Sequence, residues 1–356
     1  MAKVSSVIHE DAGWVAGRLE FLSELSGSTL LLTGAAGFLG SFLLDILADW
    51  NQEAKEPVRI LALDNNLVGL PERIAHLRNR QDVVFITHDI RKPFESGEPV
   101  HYIIHCAGVA SPTFYRLYPL ETIDVNVDGT RNLLELCRTN PVKAMLHLST
   151  SEIYGDPPPD AIPTAENYRG FVSCTGPRAC YDESKRLAEA LCVIYHEKYG
   201  VPVKVGRPFN VYGPGQRIDD RRIIPDLISA VINDEPIALF SDGRATRSFC
   251  YVRDAAWAMF LILLKGRAGE AYNLGNDREE VTMLQVAQTL KEVFGYSKQI
   301  EHRTSSDPNY LVDNPQRRCP DLRKLKALGD YSPDVMLREG LARTLRSYEE
   351  EYGRNK

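Results

Sequence analysis

Three side chains in the middle of this sequence have the types and the spacing to take a proton from an alcohol. Tyr181 and Lys185, in Tyr181-Asp182-Glu183-Ser184-Lys185, open a helical pattern and so lie one turn apart on one face. An ammonium near a phenol favours the phenolate, which lets the tyrosine take a hydroxyl proton while hydride leaves the same carbon. On its own such a pair arises by chance on many helices. Thr150 sharpens it: Leu148-Ser149-Thr150-Ser151-Glu152-Ile153-Tyr154-Gly155 ends a strand and enters a loop. That presents Thr150, Ser151 and Glu152 at the carboxyl end of a strand, where open parallel sheets bind ligands.

A second constellation lies near the start. Thr33-Gly34-Ala35-Ala36-Gly37-Phe38-Leu39-Gly40 follows an apolar strand and precedes a helical pattern. Gly34, Gly37 and Gly40 stand where a backbone must turn tightly and approach a pyrophosphate, with the helix N-terminus facing the phosphates. The spacing is G-x-x-G-x-x-G, a departure from the commoner G-x-G-x-x-G. Asp64 ends the second strand, where a carboxylate accepts from the ribose hydroxyls and repels a 2′-phosphate, which favours NAD over NADP. Asp89 and Ile90, after the third strand, are placed to frame the adenine.

The elements behind these residues alternate. Thr29 to Thr33, Arg59 to Asp64, Val83 to Thr87, Tyr102 to Cys106 and Met145 to Ser149 read as strands, with helices over Asn126 to Arg138 and Arg186 to Tyr199. The fold class is therefore α/β, a Rossmann-like doubly wound parallel sheet with a smaller C-terminal substrate-binding lobe. Residues 1–28 form an N-terminal helical extension, with Trp14, Val15, Leu19, Leu22 and Leu25 on an apolar face for packing or oligomer contact. The dinucleotide-binding domain covers 29–206, with part of 251–275 returning to it, and 207–250 and 276–350 form the lobe. The apolar run Ala255 to Leu264 is about half the roughly 20 residues of a membrane span and reads as a buried helix.

Composition narrows the classes further. The 356 residues carry a formal charge of −6, which excludes a broad nucleic-acid footprint built on clustered Lys and Arg. The seven cysteines are scattered without a C-x-x-C pair, suggesting neither a disulfide framework nor a zinc site. No metal is expected, and Cys180, Cys250, His101 and His105 read as structural. Residues 1–28 carry Glu10, Asp11, Glu20 and Glu24 and do not read as a targeting peptide, so a cytoplasmic location without membrane association is expected.

The glycine triplet, Thr150, Tyr181 and Lys185 together resemble the extended short-chain dehydrogenase/reductases, the class of nucleotide-sugar epimerases, dehydratases and decarboxylases. The resemblance covers nearly the whole chain after residue 28. Six longer strings, His88-Asp89-Ile90, Ala110-Ser111-Pro112, Ser149 to Asp156, Gly176-Pro177-Arg178 to Glu183, Thr246 to Val252 and Gln316-Arg317-Arg318, resemble the UDP-glucuronate decarboxylases in particular. The resemblance implies a bound NAD that oxidises C4 of a UDP-sugar, with Tyr181 as base, Lys185 lowering its pKa and binding the nicotinamide ribose, and Thr150 on the same oxygen. Further cofactor contacts implied are Phe38, Leu39, Asn65, Ala107 and Asn126. Glu152, Ser151 and Arg318 match positions for carboxylate handling and proton delivery. Ser111, Tyr115, Arg178, Asn210, Arg217 and Arg247 match substrate contacts, and arginine suits phosphate in any case. A homodimer through the helices Asn126 to Arg138 and Arg186 to Tyr199 is implied as well.

The same core serves several reactions, so residues at the sugar's C5 and C6 must discriminate. A 4,6-dehydratase needs an acid beside its Glu, and Ser151 is a poor one; a plain 4-epimerase needs no Glu152. Decarboxylation is the better match, with dehydration, epimerisation and a non-catalytic NAD-binding module as the alternatives. Ser184 replaces a usual Gly, Cys319 a usual Lys, and Gly213-Pro214-Gly215-Gln216-Arg217 looks closer to epimerases and dehydratases.

Overall fold

The computed structural model describes residues 4–305 and 312–353. Part of the polar stretch from Ser305 to Pro320, and the first three residues of the N-terminal extension, lie outside the described residues. Six apolar runs become the parallel strands β1 (Thr29–Thr33), β2 (Arg59–Asp64), β3 (Val83–Thr87), β4 (Tyr102–His105), β5 (Ala144–Leu148) and β6 (Val203–Pro208). A seventh, β7 (Ala271–Leu274), joins the edge beside β6, and the order across the sheet is β7-β6-β5-β4-β1-β2-β3. β1, β4 and β5 are buried along their whole length, because helices cover both faces of the sheet. The chain reverses direction across the sheet between β1 and β4, and a crevice opens there outside the carboxyl ends of the strands. An α/β fold with a doubly wound parallel sheet, and smaller sheets in the C-terminal part, is what the sequence pattern predicts.

The apolar run at 255–264 lies within the helix Val252–Lys265, which is buried almost all round and packs on the sheet. Among the described residues no helix is long and apolar enough to cross a membrane. The N-terminal segment splits into an α-helix, Ser6–Arg18, and a 3-10 stretch, Glu20–Leu25. Val15, Leu19, Leu22 and Leu25 are buried, so its apolar face is spent on this chain's own core. The buried carboxylate of Asp11 is held there by the Tyr251 hydroxyl at 2.6 Å and by Arg343 at 2.7 Å. The expected helix from Asn126 begins instead as a π-helical turn, Val125–Gly129, that leads into Thr130–Thr139. The other expected helix starts earlier than Arg186, at Ala179, so Tyr181 and Lys185 sit in its first turns.

Candidate active site

The glycine loop is built by contacts that exclude a Cβ. Gly34 has φ +70°, and a Cβ there would lie 2.6 Å from the Ala107 nitrogen, beyond β4. A Cβ on Gly40 would lie 2.1 Å from the Gly34 carbonyl oxygen, so the helix Phe38–Glu53 seats directly on the loop. No side chain caps that helix at Gly37, which leaves its first amides for an anion. Asp64 is fixed by amides, its Oδ2 accepting from Ala36 at 2.9 Å and its Oδ1 from Asn66 at 2.8 Å. Asn65 turns its Oδ1 to the Leu67 amide. Asp89 is engaged by Arg91, and the Ile90 carbonyl accepts from Asn132 at 2.8 Å. Asn126 donates through Nδ2 to Ser184 Oγ at 2.9 Å and leaves its buried Oδ1 without a partner. The tight loop, the uncapped amides and the orphaned Asn126 oxygen fit a dinucleotide.

One cleft of about 730 Å³ joins this loop to the rest of the candidate residues. Gly34, Phe38 and Leu39 line one end; Ser111, Thr150, Ser151, Glu152, Tyr181, Lys185, Asn210, Arg217, Arg247 and Arg318 line the remainder. Asp64, Asn65, Asp89, Ile90, Ala107 and Asn126 do not line it and stand behind or beside the loop end. The Thr150 hydroxyl hydrogen-bonds the Tyr181 phenol, and the Tyr115 ring stacks on Tyr181 with centroids 5.2 Å apart and planes 10° from parallel. Lys185 donates to the Leu148 carbonyl at 2.7 Å. Here the balance differs from the expectation of a lowered tyrosine. Burial pushes the Tyr181 phenol up to about 12 and brings Lys185 down to about 8, because both are removed from water, which disfavours the charged form of each.

Arginine dominates the far wall. Glu152 is held between Arg178 and Arg318, with Arg318 Nη2 donating to Oε2 at 2.8 Å. Burial alone would raise this carboxyl, but the two guanidinium groups hold it well below the usual carboxylate range. Arg318 lies in register with Arg247 on paired parallel strands, Thr246–Arg247 and Arg317–Arg318. Among the described residues Arg247 hydrogen-bonds neutral groups, the Thr246 carbonyl at 2.7 Å, Asn314 Oδ1 at 3.0 Å and the Gln316 carbonyl at 3.5 Å, and burial brings it down to about 9. Asn210, with φ +43°, leaves its buried Nδ2 unpartnered. Arg217 pairs with Asp219 and reaches the Val68 carbonyl at 3.2 Å; Ser111 donates to the Asp220 carbonyl at 2.8 Å.

Sequence reasoning missed Asp182, which stands behind Arg178, and Arg222, which also lines the cleft and pairs with Asp220 at 2.8 Å. Asp182 follows Tyr181 directly and lies four positions from Arg178, a spacing that brings opposite charges together on a helix. His147 was also missed; it faces His105 across neighbouring strands, ring centroids 5.4 Å apart. Cys180 and Cys250 pack as expected, and all seven cysteines are free.

Sheet order and cleft define a dinucleotide-binding α/β protein. The model of the NAD dependent epimerase/dehydratase family matches residues 30–275, and the chain belongs to that family of NAD-dependent enzymes that modify nucleotide sugars. UDP-glucuronic acid decarboxylase 1 of Arabidopsis thaliana is 38% identical over 319 residues, covering 90% of this chain and 69% of that protein. Its namesake in Xenopus tropicalis is 35% identical over 333 residues, covering 94% and 75%. Among solved structures, UDP-glucuronic acid 4-epimerase from Bacillus cereus, in complex with UDP-glucuronic acid and NAD, is similar with a TM-score of 0.78 and 27% identity, over 91% of this chain and 100% of that one. The dTDP-glucose 4,6-dehydratase of Streptomyces venezuelae, solved with NAD, has a TM-score of 0.79 at 26% identity, over 91% and 98%.

Proposed function

We propose that the chain is a UDP-glucuronate decarboxylase that yields UDP-xylose. One observation carries this reading: Arg178, Arg247 and Arg318 gather at Glu152 in the cleft beside Tyr181, with Asp182 a second carboxylate behind Arg178. Desolvated arginines in excess call for anions, and a sugar bearing both a diphosphate and its own carboxylate supplies them. In a UDP-hexose the diphosphate meets Arg247, but the sugar itself brings no anion to Arg178 and Arg318. The relatives named as decarboxylases support the same reading.

NAD held by Gly34, Gly37, Gly40 and Asp64 supplies a reversible oxidation at C4 of the sugar. Tyr181 takes the proton of the C4 hydroxyl, and Thr150 hydrogen-bonds the same oxygen. For this the Lys185 charge must outweigh the burial that keeps the phenol protonated. With C4 a ketone, the uronate is a β-keto acid: the C5–C6 bond breaks, its electron pair passes into the ketone as an enolate, and carbon dioxide leaves. A proton then joins C5, the oxidation at C4 is reversed, and Tyr181 returns its proton to the C4 oxygen, so that the product carries a C4 alcohol. Arg318 and Arg178 hold the carboxylate, and Arg247 and Asn210 take the diphosphate and sugar. In this division 29–206 with part of 251–275 binds NAD, and 207–250 with 276–350 binds the nucleotide sugar.

Epimerisation of UDP-glucuronate at C4 is the second reading, favoured by the likeness to the Bacillus cereus epimerase, since the same arginines would serve the same carboxylate. Product mass separates the two. Incubation with UDP-glucuronate, UDP-glucose and dTDP-glucose, followed by mass spectrometry and NMR, is expected to give loss of carbon dioxide from UDP-glucuronate alone. Unchanged mass or loss of water would overturn the proposal. We further propose a homodimer through the helix Ala179–Tyr199, where Leu187 and Ile194 are exposed, and the short helices before it, where Leu117 and Leu120 are exposed. The helix Thr130–Thr139 contributes no such large exposed residue.

A further inference from the structure

Behind the arginine wall, charges alternate along one line of contacts. Asp182 is 6% exposed; its Oδ2 lies 3.6 Å from Arg178 Nε, and its buried Oδ1 has no hydrogen-bond partner among the described residues. Arg178 gives its short contact to Glu152, and Glu152 is gripped from the other side by Arg318. Asp182, Arg178, Glu152 and Arg318 therefore run negative, positive, negative, positive from the helix Ala179–Tyr199 to the strand Arg317–Arg318. Two carboxylates share Arg178, and Asp182 has the weaker share.

Resting on the decarboxylase reading, we infer that Asp182 takes up a proton when the substrate's carboxylate enters the cleft. A second anion at Arg178 and Arg318 draws those guanidinium groups towards itself and adds a like charge, and both effects favour the neutral form of Asp182. The titratable and charged groups around Asp182 are Glu152, Arg178, Arg318 and Asp313, together with the neutral Tyr115, Tyr181 and Cys180. Without substrate, burial first and Glu152 second raise Asp182 to about 7, against the pull of Arg178 and Arg318. Below that pH it already holds its proton; above it, it is a carboxylate with a proton to gain. Uptake therefore grows as the pH rises through 7. Decarboxylation consumes one proton overall, because the carboxylate leaves as carbon dioxide and C5 gains a hydrogen. The uptake stores a proton behind Arg178 and Glu152 before the bond breaks. Asp182 does not line the cleft, so it is a positioning residue.

The test is calorimetry of ligand binding to the NAD-loaded Tyr181→Phe enzyme, which is expected to bind UDP-glucuronate without turning it over. Titrations in buffers of different ionisation enthalpy give the protons exchanged. Expected are about half a proton or more taken up per site at about pH 8 with UDP-glucuronate, little at about pH 6, and little with UDP-xylose, which lacks the carboxylate. Adding Asp182→Asn should remove the uptake. Equal uptake with UDP-xylose, equal uptake at both pH values, or undiminished uptake in the double variant would overturn the inference. The pH and ligand comparisons need no second substitution, so they decide the matter even if Asp182→Asn does not fold. If the wild-type enzyme decarboxylates UDP-glucuronate and the uptake is absent, only this inference fails; if it leaves UDP-glucuronate intact, the reading beneath it fails too.

Discussion

Arg318 reaches Glu152 across 166 positions of the sequence, its Nη2 donating to Oε2 at 2.8 Å. The contact ties the strand that carries Arg318, and its paired neighbour with Arg247, to the carboxyl edge of the central sheet, where Thr150 and Tyr181 stand. It also keeps Glu152 ionised, so the group can release an arginine to an incoming carboxylate.

Replacing that carboxylate should separate oxidation from the later steps. Glu152→Gln leaves Arg318 without its counter-charge and Arg178 with Asp182 alone, and is expected to lower product formation by about 10²-fold or more. Absorbance at 340 nm should still rise on adding UDP-glucuronate and then persist. Full product formation in this variant would remove Glu152 from the mechanism.

Tyr181→Phe tests the base. Turnover should fall by roughly 10²- to 10⁴-fold while NAD stays bound, because the ring and its stack on Tyr115 are kept and only the hydroxyl is lost. Steady-state rates beside a cofactor-content assay give the answer, and near-normal turnover would refute the assignment.

Gly40→Ala should damage the cofactor loop, since the new Cβ would meet the Gly34 carbonyl oxygen at 2.1 Å. A loss of NAD affinity of about tenfold or more is expected, read by calorimetry, because the backbone must shift where it approaches the pyrophosphate. Gly17→Ala is the control. It lies in the helix Ser6–Arg18 with nothing within 4 Å of its Cβ, and should raise stability by about 0.5–1 kcal/mol.

His105 is a source of acid sensitivity. Burial, and then the Lys185 ammonium, hold its imidazole down at about 3, so the folded protein keeps it neutral while the unfolded chain binds a proton below about pH 6.5. Its contribution to stability is intact above that pH and is lost as pH falls from about 6.5 towards 3, at about 1.4 kcal/mol per pH unit. His147, whose ring burial also holds well below the ordinary imidazole range, adds its own share, so in urea denaturation between pH 6 and pH 5 His105→Gln should lessen the loss of stability by about 1.4 kcal/mol per pH unit without abolishing it. A slope unchanged from the wild type would show that other groups set the acid limb.

Ile194→Asp and Leu120→Asp probe the proposed dimer. Each puts a charge on an exposed apolar position, at 51% and 70% exposure, so neither disturbs the monomer's core. Sedimentation is expected to show a dimer for the wild type and a shift towards monomer in both variants. Identical sedimentation of all three would move the interface elsewhere.

Local chemistry made much of this protein legible in the sequence. Thr29–Thr33, Arg59–Asp64 and Val83–Thr87 run between the expected residues: the first two because strands covered on both faces are apolar nearly throughout, the third, a half-buried edge strand, because its β-branched residues suit a strand. The glycine loop could be read because a close backbone approach admits so few side chains. Tyr181 and Lys185 could be paired because helical spacing alone puts them on one face.

What the sequence could not supply was anything depending on distant segments meeting. Trp14 to Leu25 has the pattern of one helix, yet the chain bends at Leu19. The spacing of Tyr181 and Lys185 suggested a lowered phenol, whereas burial by elements far apart in the chain raises it and the ammonium turns to Leu148. Arg178, Glu152 and Arg318 each stand in a motif, but the sharing of the Glu152 carboxylate by the two arginines, and the weaker share of Arg178 left to Asp182, were decided by the tertiary structure. The reason is physical: secondary structure and close backbone turns follow from neighbours along the chain, while ionisation depends on desolvation and on every charge within a few ångströms, whichever part of the chain brings it there.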